Sequence, residues 1–270
     1  MQLLAGTSGF AYKEWKGPFY PEDLPERRML GFYAERLPTV EINHTFYRMP
    51  KASVLAGWAG QVPPAFRFAI KASRRITHVK RLKDAGEETG YLLGAVQALG
   101  ERLGALLFQL PPYLRCDAGR LEAFLELLPE GTPAAFEFRH PSWRDERVWA
   151  ALRARDFAWV GVDDAEGGSG AIESTSRWGY LRLRRAGYER AELAAWVARA
   201  AAAGWERTFV YLKHEDAGAG PRLAAELLDV AGRATSRSAR RVGSGSRRPP
   251  PQRSTSATAL ARSKWCPTLT

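Results

Sequence analysis

The sequence predicts an α/β protein built as a single (β/α)8 barrel of the TIM type over residues 1–231, followed by a disordered basic tail over residues 232–270. Three observations carry that prediction. Eight short apolar runs of strand length recur along the chain, segments of helical period separate them, and most of the runs turn polar at their C-terminal ends. Alternation of this kind implies parallel pairing, because each crossover between parallel strands needs a helix. The competing architecture is an open doubly wound sheet, which usually has a G-x-G-x-x-G turn after its first strand. Here Gly6-Thr7-Ser8-Gly9 lacks that spacing, and a count of eight strands favours closure.

The predicted strands cover residues 3–8, 39–43, 67–71, 105–109, 134–138, 158–163, 179–183 and 208–212. Between them, Leu92, Val96, Leu99 and Leu103 fall on one helical face, as do Leu121, Phe124, Leu125 and Leu128. Val148, Trp149 and Leu152 make a third stripe, and Leu193, Trp196, Val197 and Ala200 a fourth. Such stripes are read first as surfaces that pack on the sheet. The tail is rich in serine, arginine and proline without apolar periodicity, and cannot bury enough surface to offset the entropy of ordering.

Composition narrows the function classes. A hydrophobic fraction of 45% with 26% charged residues fits a globular protein that needs no disulfide framework, and Cys116 and Cys266 suggest none. No apolar run reaches membrane-spanning length and no signal peptide is visible at the N-terminus, so the expectation is a cytoplasmic protein without membrane contact. The net charge of +11 resembles a nucleic-acid signature until it is located. Nine basic residues and no acidic ones lie beyond residue 231, which leaves only +2 on the barrel.

The polar strand ends hold the candidate chemistry. They deliver Thr7 and Ser8, then Glu41 and Asn43, then Lys71, Gln109, Glu137, Arg139 and His140, and finally Asp163, Arg182 and Lys213. In a β/α barrel all these ends open on one face, where active sites of this fold sit. A structural layer of ion pairs closing the barrel top is the alternative. Glu41 and Glu137 can divide acid and base roles if their environments separate their pKa values, while pairing with Arg139 would hold Glu137 ionised. Lys71 suits either an imine-forming nucleophile or an anchor for a ligand's anion. Arg139, Arg182 and Lys213 add to the case for an anionic ligand. The four histidines, His44, His78, His140 and His214, fall on or just after the same face and suit acid–base work or metal ligation. No H-E-x-x-H pattern is present, so no metal ligands are assigned, the cofactor is unknown, and a divalent metal stays open.

Aromatic residues gather in the first loops: Phe10, Tyr12, Trp15, Phe19 and Tyr20, then Phe46 and Tyr47, with Trp143 after the fifth strand. Interleaved with Lys13, Lys16 and Arg48, they read either as a stacking platform for sugars or bases or as a small core within the loops.

Several motifs together resemble the YecE-like family, domain of unknown function 72. They are Gly6-Thr7-Ser8-Gly9 with Tyr12, Trp15, Gly17 and Phe19-Tyr20-Pro21, and Phe32-Tyr33-Ala34. Val40-Glu41-Ile42-Asn43 with Thr45-Phe46-Tyr47-Arg48 and Phe68-Ala69-Ile70-Lys71 continue the series. Phe108-Gln109-Leu110-Pro111-Pro112 and Phe136-Glu137-Phe138-Arg139-His140-Pro141-Ser142-Trp143 complete it. The resemblance implies a TIM-type barrel and supplies no activity. Two stretches depart from the pattern, Arg182-Leu183-Arg184-Arg185 and Lys213-His214-Glu215-Asp216.

The leading expectation is an enzyme acting on an anionic small molecule, such as a sugar phosphate or nucleotide derivative, by acid–base or metal-assisted chemistry. Glu41, Glu137, His140 and Lys71 would be its catalytic residues. Asn43, Tyr47, Gln109, Arg139, Trp143, Asp163 and Arg182 would bind substrate. The alternatives are a nucleic-acid-binding module using the aromatic loops and the basic tail, and a regulatory barrel that binds a ligand without turnover.

Overall fold

The computed structural model describes residues 1–163, 172–185, 187–213 and 218–243, with side chains of the last helix described to residue 234. Eight parallel strands form a closed barrel in sequence order: β1 (Gln2–Ser8), β2 (Thr39–Ile42), β3 (Arg67–Lys71), β4 (Leu103–Gln109), β5 (Ala134–Glu137), β6 (Ala158–Asp163), β7 (Trp178–Leu183) and β8 (Arg207–Leu212). β8 pairs back onto β1 along Gln2–Thr7, so neither strand is an open edge. All eight strands lie where the apolar runs predict them, with no end shifted by more than two residues.

Helices α1 (Glu26–Ala34), α2 (Ala52–Ala59), α3 (Gly86–Val96), α4 (Ala118–Leu125), α5 (Glu146–Ala154), α6 (Arg190–Ala202) and α7 (Ala219–Gly243) follow the strands. Asp117 caps α4 by accepting from the Arg120 amide (2.9 Å), and Asp145 caps α5 by accepting from the Arg147 amide (2.8 Å). Between β6 and β7 the described residues 172–177 form no helix. The stripes on α4 and α6 are buried as expected, and so are Val148 and Leu152 of α5. The stripe through Leu92 and Val96 ends sooner than predicted. Gly100 takes a left-handed φ of 52°, which breaks the helical course, and Leu103 opens β4.

Helix α7 runs across the boundary expected after residue 231, and one compact unit spans Met1–Ala234. Residues 244–270 of the foreseen tail lie outside the described residues. Among the described residues no helix is long and apolar enough to cross a membrane.

Two layers of packing position the site. The outer one lies between the strands and the helices. The inner one fills the bore, where Tyr180, Phe209 and Tyr211 occupy the room left by Ala69, Ala105, Ala135 and Ala158. Alternation along each strand decides which residues face inward. Tyr180 on β7 is inward, so Arg182 and Arg184 follow it on the same side; Ala69 does the same for Lys71, Ala135 for Glu137 and Leu107 for Gln109. The polar strand ends are therefore the topmost rung of the bore. Gly6 is needed where β1 meets β2, since a Cβ there would lie 1.9 Å from the Thr39 carbonyl oxygen.

Candidate active site

Arg182 is the centre of the polar rung. It is 3% exposed and donates through Nη1 to Glu137 Oε2 (2.6 Å) and through Nη2 to Glu41 Oε1 (2.8 Å), and both glutamates are fully buried. Register explains the meeting: Ser8 stands beside Glu41, and Gln109 beside Glu137, at the same level of the barrel. Glu41 Oε1 also accepts from Ser8 Oγ (2.8 Å) and Asn43 Nδ2 (3.0 Å), while its Oε2 accepts from the Tyr180 hydroxyl (2.7 Å). Glu137 Oε1 accepts from Arg139 Nε (2.9 Å).

This pairing fixes the charge of the carboxylates. Burial alone would raise the Glu137 carboxyl, but Arg182 and Arg139 outweigh it and hold the group down at about 2. Burial pulls Glu41 upward in the same way, and Arg182 with the hydrogen bonds from Tyr180 and Ser8 reverses it, so Glu41 too is lowered. Burial works against the Arg182 charge, yet the two glutamates raise its pKa further. The expected roles change accordingly. Glu41 and Glu137 are held ionised and out of solvent, so neither is poised as a general acid or base. Arg182, expected to meet a ligand's anion, has both terminal nitrogens engaged by protein.

Above this rung other groups keep unused capacity. The Lys71 ammonium lies 4.2 Å from the centre of the Phe46 ring, and among the described residues it has no hydrogen-bond or ion-pair partner. Burial and repulsion from Arg182 bring it down to about 8, against the pull of Glu41 and Glu137. Arg184 follows Arg182 on the inward side, and its buried Nε is without a partner among the described residues. Its pKa is lowered by burial and by Arg182. Arg139 is partly exposed beside Glu137. The Gln109 side-chain oxygen Oε1 is buried and unpartnered among the described residues.

Among the described residues each histidine has its own partners. His44 meets Trp58 edge-on (5.2 Å between ring centres), and burial lowers its pKa. His78 meets Phe46 edge-on (4.9 Å) and shares a hydrogen bond with Thr77 Oγ1 (2.9 Å). Burial and the charge of Lys71 lower its pKa. His140 Nδ1 is 2.8 Å from Ser142 Oγ, in a turn after β5. His214, with Glu215 and Asp216, lies outside the described residues. Among the described residues no three His, Cys, Asp or Glu side chains are grouped to hold a metal ion.

Three other predicted contacts separate. Trp143 is buried, stacks on Phe138 (4.7 Å) and donates its indole N–H to the Leu114 carbonyl (2.7 Å), so it supports the loop from below instead of facing a ligand. Asp163 pairs with Arg185 (3.0 Å), which also holds Glu192, outside the Arg182 network. Tyr47 is 74% exposed and packs edge-on against Phe46 (5.1 Å) at the rim. The aromatic first loop is largely a core of its own: Trp15 and Tyr20 are fully buried and pack with Phe19 and Phe32. A cleft of about 530 Å³ lies between the loop before α3 and α4, and none of the strand-end residues line it.

Tyr180 and Arg184 belong to the site although the strand-end reading did not select them. The signal for both is the two-residue spacing of Tyr180 and Arg182 on one face of β7, which Arg184 continues just past its end.

Comparison with known proteins agrees with this architecture. The family described as "Protein of unknown function DUF72" matches residues 4–249. The UPF0759 protein YunF of Bacillus subtilis is 26% identical over 171 residues, 58% of this chain and 60% of that protein. The UPF0759 protein YecE of Escherichia coli K12 is 31% identical over 112 residues, 41% of each chain. The chain thus spans less than two thirds of the length of these curated relatives. A crystal structure of a DUF72 family protein from Thermotoga maritima superposes with a TM-score of 0.72 at 26% identity, covering 87% of this chain and 100% of that one. With the motifs, the closed barrel and the match over most of its length in agreement, the chain belongs to the DUF72 family of proteins of unknown function.

Proposed function

We propose that the C-terminal mouth of the barrel is the active site of an enzyme that takes a small anionic molecule, such as a sugar phosphate or a nucleotide derivative, and uses Lys71 to move a proton on it. The observation that carries this reading is the pair of largely buried cations, Lys71 and Arg184, that lack a counter-ion among the described residues. Withdrawing an unpaired cation from water is costly, and a ligand's anion is the natural partner that offsets the cost. Arg139 adds a third cation at the rim, and Gln109 Oε1 offers an acceptor to a ligand hydroxyl. An amine brought down to about 8 can give and take a proton near neutral pH. The Glu41–Arg182–Glu137 rung serves as the fixed floor that positions these groups.

The test is a turnover screen of the full chain against phosphorylated sugars and nucleotides, read by mass spectrometry. The expected result is conversion of one compound class, reduced about a hundredfold or more in Lys71→Met with folding intact by circular dichroism. Conversion that is equal in the variant, or absent across the panel, contradicts the proposal.

A further inference from the structure

We infer that Lys71 forms a covalent imine with a carbonyl compound that also carries an anionic group, an oxo acid or a phosphorylated ketone or aldehyde. The inference rests on the proposed anion-binding mouth and names the substrate class and the bond that forms there.

The geometry first explains why the amine is available. Lys71 stands on the inward side of the end of β3, close to two carboxylates that would ordinarily capture it. Both are already engaged. Glu41 accepts from Ser8, Asn43, Arg182 and Tyr180, and Glu137 from Arg139 and Arg182. The ammonium is left against the face of Phe46, without a hydrogen bond among the described residues. A nucleophile needs a lone pair that nothing else holds. Burial and repulsion from Arg182 bring the group to about 8, so roughly a tenth of the population is neutral amine at pH 7.

The surroundings fit the rest of the reaction. Arg184 and Arg139 provide charge for the anionic end of the ligand, which brings its carbonyl carbon to Nζ. His78 packs against the same Phe46 ring, and its lowered pKa leaves it neutral and able to relay a proton. In the first step the Nζ lone pair adds to the carbonyl carbon, a C–N bond forms, and the carbonyl oxygen takes up a proton. In the second step the nitrogen gives up a proton, the hydroxyl takes one up and leaves as water, and the freed nitrogen lone pair closes the C=N bond. Overall, the ammonium and the carbonyl compound give a protonated imine and one water, with no oxidation and no cofactor. The protonated imine withdraws electrons from the neighbouring carbon, the chemistry that C–C bond cleavage and dehydration next to a carbonyl require.

The test traps the imine. The full chain is incubated with pyruvate, and separately with dihydroxyacetone phosphate, under sodium cyanoborohydride, and the products are read by intact mass and peptide mapping. The expected result is a single reduced adduct on the peptide containing Lys71, absent from Lys71→Arg, and formed about tenfold or more slowly in Arg184→Met. Titration of inorganic phosphate into the same samples separates the two readings. Phosphate binding that Arg184→Met weakens, with no adduct on Lys71, overturns the imine and leaves the anion-binding mouth standing. Absence of both overturns both. Adducts scattered over surface lysines alike in wild type and Lys71→Arg also overturn the imine.

Discussion

Replacing Arg182 by methionine removes a cation that two fully buried carboxylates share. A buried ion pair adds little over an apolar packing, but breaking one strands a charge in low dielectric. Arg182→Met is therefore expected to destabilise the fold by about 3–5 kcal/mol in urea denaturation. The same substitution made on a Glu41→Gln, Glu137→Gln background should cost much less, which identifies the stranded charges as the cause. Lys71 behaves in the opposite sense. Its folded pKa is lowered, so below about pH 8 the native state carries an ammonium that burial disfavours. Stability should rise with pH between about 8 and 10.5, where the unfolded chain still binds the proton that the folded chain has lost. Lys71→Met should accordingly stabilise the protein at pH 7, by about 1–2 kcal/mol after allowing for partial exposure. Its advantage should vanish above pH 10.5. Denaturation of both proteins across that pH range checks the sign, and a variant less stable at pH 7 contradicts it. A residue whose removal stabilises the fold while abolishing a ligand's reaction is the signature of function held at the expense of stability.

At the scale of elements, the segment joining β3 to α3 is the least regular part of the described chain. It opens with a π-turn over Arg75–Val79, which carries His78, and continues through Arg81, Leu82 and Asp84, all at positive φ (52°, 68° and 49°). Left-handed backbone is unfavourable for residues with a Cβ, and it persists where neighbouring contacts over-determine it. Leu82 supplies that contact here, being buried in the outer core. Arg81 is exposed, so Arg81→Gly should relieve strain at little loss and stabilise by about 0.5–1 kcal/mol, measured by thermal denaturation. Such a segment was not legible in the sequence, because Arg81, Leu82 and Asp84 give no sign of positive φ, whereas Gly100 could be suspected as a helix breaker. The strands were legible because β-branched, alanine and aromatic residues had to fill a bore of fixed width. Their exact ends depended on pairing register, which one strand alone does not contain.

Over the whole molecule, the site was legible as a set of positions and illegible as a set of bonds. The polar strand ends put Glu41, Lys71, Gln109, Glu137 and Arg182 on the same rung, because closure brings all strand ends together. Which carboxylate meets which cation is not in the local pattern, since Glu41 and Arg182 are 141 residues apart and meet only through the barrel's curvature. The Glu137–Arg139 pair was legible, being two residues apart on one strand. Tyr180 was missed because a tyrosine in an apolar strand reads as core. Trp143 reads as a substrate contact because it follows a strand end, yet its ring is buried and its indole N–H is held by the Leu114 carbonyl. The charge distribution shows the same division. The excess counted in the sequence lies beyond residue 231, whereas Lys71 and Arg184, which have no counter-ion among the described residues, stand at the strand ends.

The most direct test of the proposed anion site is calorimetric titration of inorganic phosphate into the wild-type chain, Arg184→Met and a surface control, Lys83→Met, at low ionic strength. One equivalent is expected to bind to wild type and to Lys83→Met, with affinity lower by about tenfold or more in Arg184→Met. Equal affinity in all three proteins, or no binding to any, would contradict it.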